Sequence, residues 1–169
     1  VNDVAPAFTS DATFSAAENQ TAIGTVTATD ADGDGITYSI SGSDITINSS
    51  TGVITFTSAP DYETKTTYTA TVTASDGANS ATQDITVNVT NVNDIAPVFT
   101  SANNFSVVEG QTAIGTVTAT DAEGDEVTFT VSGTELTITS GGVLTYVSAP
   151  DYETKSSYTA TVTASDGVN

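Results

Sequence analysis

Apolar and polar residues alternate along most of this chain, and a period of two predicts strands rather than helices. In "TTYTATVTASD" the residues Tyr68, Ala70, Val72 and Ala74 fall on one face and the threonines on the other. "DITVNVT" places Ile85, Val87 and Val89 together in the same way. The pattern also assigns Val26 with Ala28, Ile36 with Tyr38, and Val53 with Phe56 to the core. Strand-like runs recur about every ten residues with Gly, Asp and Asn between them, the layout of an all-β sandwich. No segment predicts a helix. The outward threonines are read as solvated strand surface, which suits their β-branched shape.

The alternation is written twice. Pro6 and Pro97, Glu18 and Glu109, and Asp30 and Asp121 each stand 91 positions apart, and "SAPDYETK" at 58–65 returns unchanged at 148–155. Two sibling domains follow, at residues 1–95 with a linker and at residues 96–169. The first copy continues past Asp76 with "GANSATQDITVNVT", a final strand; the second stops at "DGVN", so its sheet is expected to lack that strand.

Composition narrows the chemistry. Twenty-one acidic residues against two basic ones give a formal charge of -19. That excess excludes nucleic acid and anionic membrane surfaces as partners, because both require basic patches, and it points to cations. At 37% hydrophobic content in strict alternation, the chain reads as folded rather than as an acidic disordered tail. It contains no Cys, Met, Trp or His, which excludes disulfides, thiolate chemistry, imidazole catalysis and ordinary zinc sites. No apolar run approaches the ~18 residues of a membrane-spanning helix. The opening "VNDVAP" has neither initiator Met nor signal peptide, and a piece of a longer protein is expected.

The acids gather at strand ends: Glu18, Asp30 and Asp32 in "DADGDG", Asp61 and Glu63 in "DYE", Asp76, and the "NVND" junction. "DADGDG" begins like an EF-hand loop, but the closing ligand position is Ser41, and both flanks are strands where an EF-hand needs helices. Taken alone, the loop is either a solvated turn or part of another kind of cation site. In a sandwich, Glu18 and "DYE" can share one pole, and "DAD" with Asp76 the other. A tandem arrangement through "NVNDIAP" then predicts Glu18, Asp61, Glu63, Asp94, Asp121, Glu123 and Asp166 at one junction.

With these residues in view, the chain resembles the cadherin repeat family, in particular the cadherin-like tandem repeats of large bacterial surface proteins and adhesins. The matching motifs are "AAENQTAIGTVTATDAD", "APDYE", "VTASDG" and "NVNDIAPVF", echoed in the second copy by "VVEGQTAIGTVTATDAE", "APDYE" and "VTASDG". The resemblance implies tandem seven-stranded Greek-key sandwiches of immunoglobulin-like type and calcium ions bound around the linker. It implies that Glu18, Asp61, Glu63 and Asp94 hold an outer pair of ions. It implies that Asn93, the Ile95 carbonyl, Asp121, Glu123 and Asp166 hold a third, with the Val92 carbonyl and Glu123 completing the middle site, at which Asn91 also belongs to the metal-binding set. By the same resemblance Asn2, Asp3, Val4, Asp30, Asp32 and Asp76 form one terminal half-site, and Glu109, Asp151 and Glu153 the other. The chain departs from the family at Asn91, where the linker usually opens with Asp, at Ile95 in place of Asn, and at Glu123 in place of Asp. It has no Trp for strand exchange.

The leading expectation is a non-enzymatic, calcium-rigidified extracellular repeat, part of a rod-like stalk or filament at a cell surface or in a secreted protein. Expected partners are calcium, adjacent repeats of the same chain, and surface polysaccharide or like chains, with no direct membrane insertion. The alternative is a calcium-dependent polysaccharide-binding module. Reading "DYE" as a glycosidase carboxylate pair ranks third, since the same two acids recur in both copies.

Overall fold

The computed structural model describes residues 2–169, and all its regular structure is β. The chain divides into two compact units, one up to Val92 and one from Asn93 to Asn169.

The first unit holds β1 (Ala7–Phe8), β2 (Thr13–Ala17), β3 (Ala22–Thr25), β4 (Ala28–Thr29), β5 (Thr37–Ile40), β6 (Ile45–Ile47), β7 (Val53–Phe56), β8 (Thr67–Ser75) and β9 (Ser80–Thr90). One sheet runs β2-β9-β8-β5 and the facing one β3-β7-β6, with β1 paired to β4. The strands pass between the two layers as in a Greek-key sandwich. The β8–β9 hairpin forms the backbone of the unit: its ladder runs antiparallel from Thr67 opposite Asn88 to Ser75 opposite Ser80. On its other side β9 runs parallel to β2, with Phe14 opposite Val87.

The alternating apolar residues of both layers meet between the sheets. Val26, Ile54, Val72 and Val87 are sealed completely, with Ile45, Phe56, Ile85 and Val89 around them. One sequence expectation fails here: Val53 is 42% exposed, and Ile54 takes the core position beside Phe56. Residues 53 and 56 are three apart, so a strand of period two turns them to opposite faces. Between β6 and β7 the chain reverses at Gly52, whose φ is 71°. Its carbonyl accepts the Val26 N–H at 2.9 Å, and a Cβ there would overlap the Val26 carbonyl oxygen. Only glycine permits both the left-handed backbone and that approach.

The second unit repeats this plan with β10 (Val98–Phe99), β11 (Ala113–Thr116), β12 (Ala119–Thr120), β13 (Thr128–Val131), β14 (Leu136–Ile138), β15 (Val143–Tyr146) and β16 (Val162–Ser165). Its ladders are β11-β15-β14, β13-β16 and β10-β12. Among the described residues it has no counterpart of β9. Accordingly residues 104–108, which correspond to β2, and residues 158–161, which correspond to the first half of β8, belong to no ladder. The sealed core shrinks to Val117, Phe129 and Leu144.

The two basic residues are used identically. Lys65 bonds Asp44 at 2.7 Å and lies 4.0 Å from the centre of the Tyr68 ring. Lys155 bonds Glu135 at 2.7 Å and lies 4.4 Å from the Tyr158 ring.

Candidate metal centres

In the first unit, Glu18 directly follows β2, Val92 follows β9, and the "PDYE" loop precedes β8. Parallel pairing of β2 with β9 ends at Ala17 opposite Thr90, so Glu18 and Val92 emerge side by side. Glu18 is 3% exposed and accepts the backbone N–H groups of Tyr62 and Val92, each at 2.8 Å. Its carboxylate, with those of Asp61 and Glu63, offers three oxygens within 4.8 Å of one another. Asp61 is oriented by the Thr64 hydroxyl at 2.9 Å.

At the turn after β4, Asp30, Asp32 and Asp34 form a second such group. Asp30 Oδ1 accepts the N–H groups of Asp32 and Asp34 at 2.9 and 3.3 Å, which winds the loop around its own carboxylate. Pairing of β1 with β4 brings the start of the chain to this loop: Asp32 Oδ2 accepts the N–H groups of Asp3 and Val4 at 3.0 and 3.1 Å. Asn2 meets the turn after β8, accepting a bond from Asn79 Nδ2 at 2.9 Å and donating to the Asp76 carbonyl at 3.5 Å. Asp76 Oδ1 accepts from Ala78 and Asn79 N–H at 2.7 and 2.6 Å. Chiefly the Asn79 N–H holds the Asp76 carboxyl below the ordinary Asp range.

The second unit rebuilds both arrangements. Asp121, Glu123 and Asp125 group together, and Glu123 Oε2 accepts the N–H groups of Asp94 and Ile95 at 3.0 and 2.8 Å. Asn93 donates to Asp125 at 2.9 Å and accepts from Asn169 at 2.7 Å. Asp166 Oδ1 accepts from Val168 and Asn169 N–H at 2.8 and 2.6 Å. Partial desolvation pulls the Asp166 carboxyl upward, but these bonds outweigh it and its pKa lies low. Glu109, Asp151 and Glu153 form the other group, with Tyr152 N–H on Glu109 at 2.8 Å. Asp151 is held below the ordinary range mainly by the Thr154 hydroxyl. Glu109 remains exposed, unlike Glu18. Asn91 lies exposed at the head of the linker.

Two carboxylates beyond the expected ligand set enter these groups, Asp34 and Asp125. Their signal was the D-x-D/E-x-D spacing, which returns every second side chain of a tight loop to one side. Asn79 and Asn169 were also unforeseen.

The chemistry of the groups fits a hard divalent cation. Every side-chain donor is an oxygen, the ligand type calcium takes. Three like charges this close repel by ~1 kcal/mol per pair in water and ~4 kcal/mol at a protein surface. Moreover Asp30 Oδ2, Asp121 Oδ2 and Glu123 Oε1 are buried with no hydrogen-bond partner. Buried acceptors in that state are costly unless something binds them.

Comparison with known proteins follows the same division. Residues 12–90 match the family described as "Cadherin domain", and residues 93–169 match "Bacterial Ig domain". Human Protocadherin Fat 4 is 37% identical over 147 residues, covering 76% of this chain and 3% of that protein. Human Protocadherin-15 is 42% identical over 106 residues, covering 57% of this chain and 5% of that protein. Chitinase A of Pseudoalteromonas piscicida is 33% identical over 144 residues, covering 84% of this chain and 18% of that protein. The chain thus spans a small part of the length of each. Among solved structures, mouse cadherin-23 EC22-24 superposes with a TM-score of 0.81 at 24% identity, covering 99% of this chain and 62% of that one. Human protocadherin-24 EC1-2 gives 0.76 at 23% identity, covering 98% and 94%. The chain belongs to the cadherin repeat family, its first unit matching the cadherin domain and its second the bacterial immunoglobulin-like domain.

Proposed function

We propose that this chain is a calcium-rigidified segment of a larger extracellular protein, a tandem of repeats that forms part of a stalk or adhesive filament at a cell surface. In this reading the first repeat with its linker is residues 1–95 and the second is residues 96–169. Calcium supplies positive charge and an oxygen-seeking coordination shell. Glu18, Asp61, Glu63 and Asp94, and Asn93, Asp121, Glu123 and Asp166 with the Val92 and Ile95 carbonyls, are the ligands around the linker. Asn2, Asp3, Val4, Asp30, Asp32 and Asp76 serve one terminal half-site, and Glu109, Asp151 and Glu153 the other. Asp34 and Asp125 are added by their place in the carboxylate groups.

The observation that carries the reading is the set of buried carboxylate oxygens with no partner, Asp30 Oδ2, Asp121 Oδ2 and Glu123 Oε1. The experiment is small-angle scattering and calorimetric titration of the chain with and without calcium. Millimolar calcium should bind and lengthen the particle, since extracellular modules of this type bind at ~10⁻⁴ to 10⁻³ M. An unchanged radius of gyration and no binding heat would refute it.

A second reading, a calcium-dependent polysaccharide-binding module, is favoured by one observation, the similarity to the protein named Chitinase A. Co-sedimentation of the calcium-loaded chain with insoluble polysaccharide separates the two.

A further inference from the structure

The turn between β8 and β9, "DGAN" at residues 76–79, fixes the backbone of its last residue firmly. Asp76 Oδ1 accepts the Asn79 N–H at 2.6 Å, while the Asn79 carbonyl accepts the Asp76 N–H at 3.2 Å and the Ser75 hydroxyl at 3.0 Å. From that base Asn79 Nδ2 donates to Asn2 Oδ1 at 2.9 Å and to Asp76 Oδ2 at 3.4 Å. Asn2 Nδ2 donates in turn to the Asp76 carbonyl at 3.5 Å. One side-chain amide thereby ties the segment leading into β1 to the Asp76 carboxylate.

The second unit repeats the arrangement with "DGVN" at residues 166–169. Asn169 Nδ2 donates to Asn93 Oδ1 at 2.7 Å and to Asp166 Oδ2 at 3.1 Å, and Asn93 Nδ2 donates to Asp125 at 2.9 Å. The partners decide which way each amide faces. A carbonyl or carboxylate oxygen only accepts, so it selects the NH₂ end of an asparagine beside it. Asn2 and Asn93 therefore turn their oxygens toward Asn79 and Asn169.

We propose that Asn79 and Asn169 are positioning residues for a cation site: each locks a neighbouring asparagine, Asn2 or Asn93, in the amide orientation that offers oxygen. This inference rests on the calcium reading above. A hard cation binds an amide through its oxygen, so a half-turn of the Asn2 amide removes a ligand from the site. An amide oxygen has two lone pairs; the bond from Asn79 occupies one and leaves the other for the ion. The second Asn79 bond aligns Asp76 Oδ2 with the same donor. At this pole Asp30 Oδ2 is buried and has no hydrogen-bond partner, and the neighbouring Asp32 grips the N–H groups of Asp3 and Val4. An aspartate at position 79 presents acceptors alone, draws the Asn2 NH₂ group toward itself and turns the Asn2 oxygen away. Charge and orientation thus predict opposite results for that substitution. Coulomb attraction alone makes a further carboxylate tighten calcium binding, whereas loss of orientation weakens it.

The test titrates the 169-residue chain with calcium alone and follows two sets of backbone amides by NMR, residues 30–34 at this pole and residues 61–64 beside Glu18. In Asn79→Asp and in Asn79→Ala, calcium should bind about tenfold more weakly at residues 30–34, the usual scale for losing a group that orients a ligand, and unchanged at residues 61–64. Asn2→Asp supplies an oxygen in either orientation, so in that background Asn79→Ala should weaken binding by no more than about twofold. Amide spectra in chelator establish that each variant is folded, and Asn79→Asp keeps the size and main-chain bonds of the native residue. Tighter or unchanged binding at residues 30–34 in Asn79→Asp overturns the inference and leaves the calcium reading standing. An Asn79→Ala loss that is equal with and without Asn2→Asp does the same. No calcium-dependent shift at either pole of the unaltered chain overturns both.

Discussion

The Glu18 carboxylate accepts the backbone N–H of Val92 at 2.8 Å across 74 residues of sequence. One side chain thereby joins the end of β2 to the end of β9, while its other oxygen secures the loop at Tyr62. Glu18→Ala should destabilise the first unit by about 3 kcal/mol, since hydrogen bonds to charged groups contribute roughly 1.5–3 kcal/mol each. Chemical denaturation in chelator, following the first unit, checks this; Glu18→Gln should recover part of the loss.

Gly52 and Gly33 both have positive φ, 71° and 82°, but their surroundings differ. An alanine at 33 meets nothing within 4 Å, whereas at 52 it strikes the Val26 carbonyl. Gly33→Ala should cost about 1 kcal/mol of backbone strain, and Gly52→Ala should exceed it by at least about 1 kcal/mol. Thermal unfolding of the two variants side by side gives the comparison; equal losses would contradict it.

Tyr38 presents its hydroxyl oxygen to the Ala28 N–H at 3.0 Å. Tyr38→Phe leaves that donor without its acceptor and should cost about 1–2 kcal/mol while leaving the ring packing unchanged. Faster amide exchange at Ala28 is the local signature to measure.

Asp76 titrates below the ordinary Asp value of 3.8, chiefly because its charged form accepts the Asn79 N–H. A depressed carboxyl pKa contributes stability that is complete above the unfolded-state value and is lost as pH falls through the lower folded value. Carboxyl-carbon NMR should therefore place its midpoint below 3.8, with the Ala78 and Asn79 amides losing protection in the same step. Asp76→Asn should abolish that step.

Calcium bound at the proposed sites should stabilise the folded state by mass action. At ~10 mM calcium and a dissociation constant of ~10⁻⁴ to 10⁻³ M, the gain is about 1.4 to 2.7 kcal/mol per site. Melting curves with calcium and with chelator measure it, and Asp61→Asn with Glu63→Gln should shrink the difference.

The long hairpin was the most legible part of the fold. In β8 and β9 the alternation spans most of each strand, and the residues assigned inward at Val72, Ala74, Ile85, Val87 and Val89 are buried. Short strands carried less information: β7 has four residues, and choosing Val53 over Ile54 reversed its face. Strand length was not legible, because it depends on the neighbour. "YTATVTAS" is a continuous strand in the first unit, but only its last four residues form one, β16, in the second. The acidic residues could be located by type and spacing. What sequence could not show was the backbone that each carboxylate grips, since Asp32 with Val4 and Glu18 with Val92 are pairs formed only by the tertiary fold.

The placement of the two lysines has a consequence for resistance to proteases. A protease that cuts after Lys or Arg finds only two target positions in 169 residues. At each, the ammonium group that must enter the enzyme's specificity pocket is already held by a carboxylate and lies over a tyrosine ring. Cleavage there requires both contacts to break and the loop to open locally, so the chain resists digestion of this kind by scarcity of targets and by their occupation.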